Sequence, residues 1–157
     1  MPVWPLDLTK PGDISQAFEF ISEELKKRNL PGLYALINNA GGGFIATIEL
    51  MDLDKFKIEL ETRMVGPIRL LQTFLSLLRE AKGRILWLVT PAIMPVPLVA
   101  SIHICDFAVN YLARTLKIEL KKWGIPVILI HFPKKFFLKK NLFLSFESLF
   151  PIIEETK

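Results

Sequence analysis

The chain has 157 residues, of which 51% are hydrophobic and 23% charged, and it contains one Cys and two His. This length and composition fit one globular domain and exclude a disordered chain and a disulfide scaffold. Cys105 and His103 do not belong to ligand-spaced pairs, so we expect no structural metal. The net charge of +4 comes from cations scattered among Glu and Asp, which argues against nucleic-acid binding.

The start of the chain predicts an intracellular protein. Asp7 and Lys10 stand where a signal peptide would have its apolar core. Residues 85–105 carry no formal charge and approach membrane-spanning length. Three prolines would remove helix hydrogen bonds in the middle of this stretch, which favours a buried strand followed by a loop.

The first helical pattern begins after Pro11-Gly12-Asp13, which predicts a turn and a helix cap, and it ends at Lys26-Lys27-Arg28. Pro31-Gly32 stops the pattern. The following apolar run, 33–37, is short enough for a strand buried on both faces. Residues 39–43 then predict a loop.

A second helix is predicted from a cap at Asp52 or Asp54 to about Glu80, with a kink at Pro67. The next apolar run, 85–89, predicts a second buried strand.

A third helix is predicted from about Val99 to Lys122, where Gly124 ends it, and the apolar run 127–130 predicts a third strand. Long amphipathic helices that alternate with continuous apolar strands predict an α/β fold. We expect a doubly wound parallel sheet with helices on both faces.

Four segments, in order, resemble the short-chain dehydrogenase/reductase family. Residues 33–41, Leu-Tyr-Ala-Leu-Ile-Asn-Asn-Ala-Gly, resemble its fourth strand and Asn-Asn-Ala-Gly turn. Residues 66–79, 83–85 and 120–127 resemble its next helix, the start of its fifth strand and its helix-to-sixth-strand junction. The sequence is most similar to the branch that includes estradiol 17β-dehydrogenase type 2, 11β-hydroxysteroid dehydrogenase type 2 and the retinol dehydrogenases. The resemblance implies a partial Rossmann-like domain over residues 1–133 and NAD or NADP as cofactor.

The resemblance also implies cofactor-binding candidates. The family's Thr-Gly-x-x-x-Gly-x-Gly turn, whose amides hold the pyrophosphate, does not occur in this sequence, so we expect an N-terminally incomplete domain. Asp7 matches the family's adenine-contacting Asp, and Asn39, Ala40 and Gly41 match the turn beside the adenosine. The alternative is that Asp7 is a solvated loop residue and that Asn38 and Asn39 brace neighbouring strands.

The family's catalytic group comprises a helical Asn, a Ser, a Tyr, and a Lys four residues after the Tyr. Arg63 stands at the Asn position and Thr90 at the Ser position. An Arg cannot accept the hydrogen bond that the proton relay requires, and we expect Arg63 to be a solvated helix residue. Thr90 keeps the hydroxyl, which could equally bond the end of a strand.

The Tyr and Lys positions depend on one gap. One register gives His103 with Phe107, and the other gives Ile102 with Asp106. Neither restores the pair, because Phe carries no charge and Asp would raise the pKa of a neighbouring acid. His103 could transfer a proton near neutral pH, or it could be a partly buried helix residue. Cys105 is expected to be a small core residue.

Two features predict partners. The strands that flank 33–37 in the family do not occur in the sequence, so we expect an apolar sheet edge that forms homo- or hetero-oligomers. In the C-terminal tail, 134–157, the lysines of residues 134–140 interleave with Phe and Leu, which suits a helix covering a substrate site or a peripheral membrane contact.

We therefore predict a family member that has lost NAD(P)-dependent oxidoreductase activity. One alternative is a residual dehydrogenase for a steroid, a retinoid or another lipophilic alcohol, with Thr90 and His103 as the chemical groups. Another is a non-catalytic module that dimerises with a relative. The expected location is the cytoplasm or the endoplasmic reticulum surface.

Overall fold

The computed structural model describes residues 5–89 and 96–131. Three parallel strands, β1 (Ala35–Asn38), β2 (Arg84–Val89) and β3 (Val127–His131), form a sheet in the order β1-β2-β3. The helices are α1 (Pro11–Lys27), α2 (Leu53–Leu60), α3 (Gly66–Glu80) and α4 (Ala100–Leu120). A π-helical segment, Glu61–Val65, joins α2 to α3, and a 3₁₀ turn, Lys121–Trp123, follows α4. The predicted α/β fold is confirmed.

The core lies between the sheet and the helices α3 and α4. Ile85, Trp87 and Val89 of β2 are buried against apolar residues of both helices. Because α3 and α4 belong to crossovers that advance in the same direction across the sheet, right-handed connections place them on the same face. A smaller cluster, in which Ile14 and Phe74 are buried, packs α1 against α3.

The described helices cover one face of the sheet, whereas the sequence predicted helices on both. The opposite face carries Leu86 and Leu88 of β2, which pair in register with Ile128 and Ile130 of β3. These four side chains are only partly buried. Ile37, which pairs with Leu86, is 44% exposed.

The predicted start of α2 and the predicted end of α4 match the observed capping groups, whereas the predicted start of α1 does not. Asp52 caps α2, accepting hydrogen bonds from the amides of Asp54 and Lys55 at 3.0 and 3.1 Å, as predicted. The turn and cap predicted at residues 11–13 are wrong, because α1 already begins at Pro11, whose fixed φ suits the first helical position. Gly124, with φ +68°, ends the 3₁₀ turn after α4 in the left-handed conformation that glycine favours.

The predicted kink at Pro67 takes the form of the π-helical segment that precedes α3. Pro67 has no N–H to donate to the carbonyl four residues earlier, so regular α-helical bonding cannot continue through this point. The tail predicted at 134–157 and the loop at 91–95 lie outside the described residues.

Candidate functional site

The loop after β1 lies against the start of α4, at the carboxyl ends of the strands. The amide of Ala46 donates to the carbonyl of Leu98 at 2.9 Å. The hydroxyl of the buried Ser101 donates to the carbonyl of Phe44 at 3.3 Å. In open α/β sheets, ligands bind beyond the carboxyl ends of the strands, so this is where a functional site is expected.

A buried ion network occupies this position and is centred on Arg63. Its Nη2 pairs with Oδ1 of Asp106, and its Nη1 lies 3.0 Å from Oε1 of Glu59. The same Nη1 donates to the carbonyls of Gly42 and Ile102, both at 3.3 Å. The exposed fractions of the Arg63, Glu59 and Asp106 side chains are 11%, 5% and 0%. The guanidinium thus joins α2, the loop after β1, and α4.

Local structure explains why these three side chains meet. Glu59 and Arg63 are four residues apart, a spacing that brings side chains together on one helical face. Arg63 lies in the π-helical segment, a feature that is frequent at functional sites. Asp106 is one α-helical turn after Ile102 on the inner side of α4.

The network holds two carboxylates against one guanidinium. Oε2 of Glu59 is buried and accepts no hydrogen bond within the described chain. Gly43 fits closely beside it, since a Cβ there would lie 3.1 Å from Oε1 of Glu59 and 2.3 Å from Cγ1 of Ile102. A side chain at residue 43 would therefore force the Ile102 side chain to shift and would press on the Glu59 carboxylate.

Arg63 is not the solvated helix residue that the sequence predicted. The prediction considered Arg63 on its own helix, whereas its main partner, Asp106, is 43 residues away in sequence. The two registers place either Asp106 or Phe107 at the Lys position. Asp106 faces Arg63, whereas Phe107 is 60% exposed. Thr90 lies outside the described residues.

His103 is partly buried on α4, and its backbone amide donates to the carbonyl of Val99 at 3.0 Å. Its side chain makes no hydrogen bond or ion pair with any residue in 5–89 or 96–131. Among the described residues, none therefore orients His103 for proton transfer.

Of the cofactor candidates, Asp7 is held by local hydrogen bonds. The Asp7 carboxylate accepts from the hydroxyl and the amide of Thr9 at 2.7 and 3.0 Å. These bonds keep the pKa of Asp7 below its usual value, with a smaller contribution from Lys10. Asn39, Ala40 and Gly41 are exposed after β1. Asn38 is buried, but its side-chain carboxamide makes no hydrogen bond to any described residue. The alternative that Asn38 braces neighbouring strands through its side chain is therefore not observed.

Cys105 is fully buried beside the network. Burial raises the pKa of its thiol to about 11; the carboxylates of Glu59 and Asp106 add to this shift, and Arg63 opposes it. The thiol is therefore protonated and inert at neutral pH, as expected for a core residue.

Sequence reasoning missed Glu59 and Gly43. The four-residue spacing between Glu59 and Arg63 was a usable signal for an ion pair. Nothing in the sequence marked Gly43 as a close approach, because that contact depends on how α4 packs.

Residues 5–89 and 96–131 contain no group of three or more His, Cys, Asp or Glu side chains that could hold a metal ion. None of their helices combines the length and hydrophobicity needed to cross a membrane.

A family model for short chain dehydrogenases matches residues 1–133. Human 11-beta-hydroxysteroid dehydrogenase type 2 is 37% identical over 127 residues, which are 80% of this chain and 31% of that protein. Human 17-beta-hydroxysteroid dehydrogenase type 2 is 36% identical over 132 residues, which are 81% of this chain and 33% of that protein. The chain thus spans about a third of the length of these relatives.

Among solved structures, the NADPH-bound carbonyl reductase from chicken fatty liver superposes with a TM-score of 0.74 at 26% identity. The match covers 83% of this chain and 56% of that protein. The fold, a parallel α/β sheet with a polar cluster at the carboxyl ends of its strands, thus agrees with the family match over most of the sequence. The chain belongs to the short-chain dehydrogenase family, in the branch of the 11-beta- and 17-beta-hydroxysteroid dehydrogenases type 2.

Proposed function

We propose that this chain is a short-chain dehydrogenase domain that does not carry out the family's hydride transfer. The ion pair between Arg63 and Asp106 carries the proposal. By resemblance, Arg63 stands at the relay Asn, and Asp106 stands at the Lys in one of the two registers that the resemblance allows. The two replacements neutralise each other, as a structural pair would, and neither retains the chemistry of the residue it replaces.

The family's Lys lowers the pKa of the catalytic Tyr and donates to the cofactor ribose. Asp106 has no proton to donate while it is ionised, and its negative charge would raise the pKa of a neighbouring acid. Ile102, at the Tyr position in this register, has no exchangeable proton. The guanidinium of Arg63 donates to Glu59, Gly42 and Ile102, where a relay would require an acceptor for water.

The family implies NAD or NADP as cofactor, and the described residues suit its adenosine half better than its nicotinamide half. The ionised, partly exposed Asp7 and the exposed turn at 39–41 are suited to accept and donate hydrogen bonds at an adenosine. The region of Asp106 does not suit the nicotinamide ribose, because its buried carboxylate is already paired with Arg63.

A turnover assay tests the proposal. The full chain would be incubated with NAD⁺ or NADP⁺ and a 17β- or 11β-hydroxysteroid, with formation of the reduced cofactor followed by absorbance. Human 17-beta-hydroxysteroid dehydrogenase type 2 would serve as the active control. We expect no turnover above the rate without protein.

Turnover that rises in proportion to the concentration of the chain would overturn the proposal. Thr90→Ala and His103→Ala would then test the residual dehydrogenase, because those two residues carry the remaining polar chemistry at the catalytic positions.

A second candidate function is self-association through β1. Within the described residues β1 pairs only with β2, which leaves its other edge open. Ile37 on this strand is 44% exposed, and Tyr34, directly before the strand, is 68% exposed. An open apolar edge is a template for pairing with another chain.

Sedimentation would test this second candidate. Ile37→Lys places a charge on the edge strand, and Ile45→Lys places the same charge on an exposed loop position. We expect concentration-dependent association that Ile37→Lys reduces and Ile45→Lys does not. A chain that remains monomeric at all concentrations would contradict the candidate.

A further inference from the structure

One face of the sheet is apolar but carries none of the described helices. We call it the outer sheet face; its aliphatic side chains come from alternate strand positions that pair in register, namely Ile37, Leu86, Leu88, Ile128 and Ile130. Ile37 is 44% exposed, and the other four are only partly buried. The opposite face is buried beneath α3 and α4. Parallel sheets occur almost only with both faces covered, so the outer sheet face requires a cover as well.

The size of the outer sheet face suits one helix rather than a second copy of the chain. Three strands about 4.8 Å apart and up to six residues long form a surface of about 14 by 20 Å. A stable interface between two proteins usually needs about 800 Å² from each partner, and the face offers roughly a third of that. A single helix, about 10 to 12 Å in diameter, is wide enough to cover most of it.

A membrane surface does not suit the outer sheet face, because the face borders an open sheet edge. Among the described residues, β1 pairs only with β2. On insertion into lipid, the amides and carbonyls on the other side of β1 would lose water without gaining hydrogen-bond partners. The face therefore favours an occupant made of protein.

The chain itself supplies a segment of sufficient length beside this face. β3 ends at His131, at the carboxyl edge of the sheet, and residues 132–157 follow it. The other stretches outside the described ranges, 1–4 and 90–95, are too short to cover three strands. Within this chain, residues 132–157 are thus the segment that can reach and cover the face.

The apolar residues of this segment have the spacing of an amphipathic helix. Four of them recur three or four residues apart, which places them on one stripe: Leu138, Leu142, Phe146 and Leu149. Asn141, Glu147 and Ser148 fall outside this stripe. A helix over 138–150 would be about 20 Å long, which matches a strand of six residues. Residues 132–137 before it are as long as ordinary connections between a strand and a helix.

We propose that residues 132–157 dock on the outer sheet face, with the stripe that begins at Leu138 packed against Leu86 and Leu88. This docking completes the burial of the sheet within one chain. It does not depend on whether the chain turns over a substrate.

Thiol labelling of the full chain tests the proposal. In a Cys105→Ala background, Leu86→Cys places one thiol at the centre of the face, and its reaction with a maleimide reports whether the face is covered. Leu142→Asp/Phe146→Asp puts two charges on the apolar stripe. We expect this variant to raise the labelling rate of Leu86→Cys by about tenfold or more, because the cover opens more often.

The matched control is Asn141→Asp/Ser148→Asp, which adds the same two charges outside the stripe. It should leave the labelling rate of Leu86→Cys within about twofold of that in the unaltered segment. Ile118→Cys, on the exposed side of α4, should react equally fast with all three segments. An unchanged rate for Leu86→Cys, or an equal rise with both double variants, would overturn the proposal.

Cross-linking tests the same docking without altering the stripe by charge. In the Cys105→Ala chain, Ile37→Cys/Phe146→Cys should be joined by a short bismaleimide within one chain, as measured by mass. Ile118→Cys/Phe146→Cys is the control pair and should be joined about tenfold more slowly or less, because Ile118 lies on the outer side of α4. Equal rates for both pairs would overturn the proposal. A product that joins two chains would also overturn it and would assign the face to a second copy.

Discussion

Both halves of α4 bury their inner side, but they are stabilised in different ways. In the C-terminal half, Ala113, Leu116 and Leu120 pack into the apolar core beneath the sheet. In the N-terminal half, the inner side carries Ser101, Cys105 and Asp106 before the apolar Val109. An apolar residue gains from burial whichever neighbours surround it, whereas a buried polar one is stable only with its partner in place. The N-terminal half is therefore expected to be the less tolerant of substitution.

The largest effect is expected for Asp106→Ala. Removing this carboxylate deprives the buried Arg63 of its main partner, and breaking a buried ion pair costs about 3 to 5 kcal/mol of unfolding free energy. Urea unfolding followed by circular dichroism would measure it. The control is Glu59→Gln/Arg63→Met/Asp106→Leu, which removes all three charges of the network and should cost much less. An equal loss in both variants would contradict the network.

Leu116→Ala tests the apolar half of the same helix. Leu116 is 7% exposed, and truncating a buried Leu costs about 3 kcal/mol through lost transfer energy and the cavity left behind. Ile118→Ala is the matched control, because Ile118 is 78% exposed on the same helix. That variant should stay within about 0.5 kcal/mol of the unaltered chain. Similar losses at both positions would show that the burial pattern of α4 is wrong.

Alkaline pH is expected to lower the unfolding free energy, because the buried Cys105 in the polar half of α4 resists loss of its thiol proton. The folded chain raises the pKa of this thiol from 9.0 to about 11. The unfolded chain therefore loses the thiol proton at a lower pH than the folded chain. The thiol's contribution is fully present below pH 9 and is lost as the pH rises through about 11.

Unfolding free energies of the unaltered chain and Cys105→Ala between pH 8 and 11 would isolate this contribution from the titration of other groups. Above pH 9, we expect the unfolding free energy of the unaltered chain to fall relative to that of Cys105→Ala. Parallel pH profiles would contradict the raised pKa.

The smallest effect is expected for Ser101→Ala, which removes the hydrogen bond from a buried hydroxyl to the carbonyl of Phe44. The net loss should be about 1 kcal/mol. Thr115→Ala is the control, since the Thr115 hydroxyl makes an exposed bond of the same 3.3 Å length to the carbonyl of Tyr111 within α4. A larger loss for Thr115→Ala would reverse the comparison.

The apolar half could be predicted from the sequence, because helical periodicity and continuous apolar runs act locally. The runs at 85–89 and 127–130 are strands, and Gly124 ends the turn after α4. The run at 33–37 forms a strand that is shifted by one or two residues, to Ala35–Asn38. These features follow from nearest-neighbour chemistry.

The polar half could not be predicted in the same way. The π-helical segment arises where Pro67 interrupts regular bonding, and its onset has no signature in composition. Arg63 and Asp106 each look like surface residues until the fold brings the π-helical segment and α4 together. The sequence also gave two registers at residues 102–107, and only the packing of α4 shows that Asp106, not Phe107, faces Arg63.

A double-mutant cycle on Arg63 and Asp106 tests the central claim, that these two buried side chains form a mutually dependent ion pair. The cycle compares Arg63→Met, Asp106→Leu and the double variant by their unfolding free energies. We predict a coupling energy of about 2 kcal/mol or more, as expected for a buried pair in direct contact. Single-variant losses that add to within about 0.5 kcal/mol would contradict the claim.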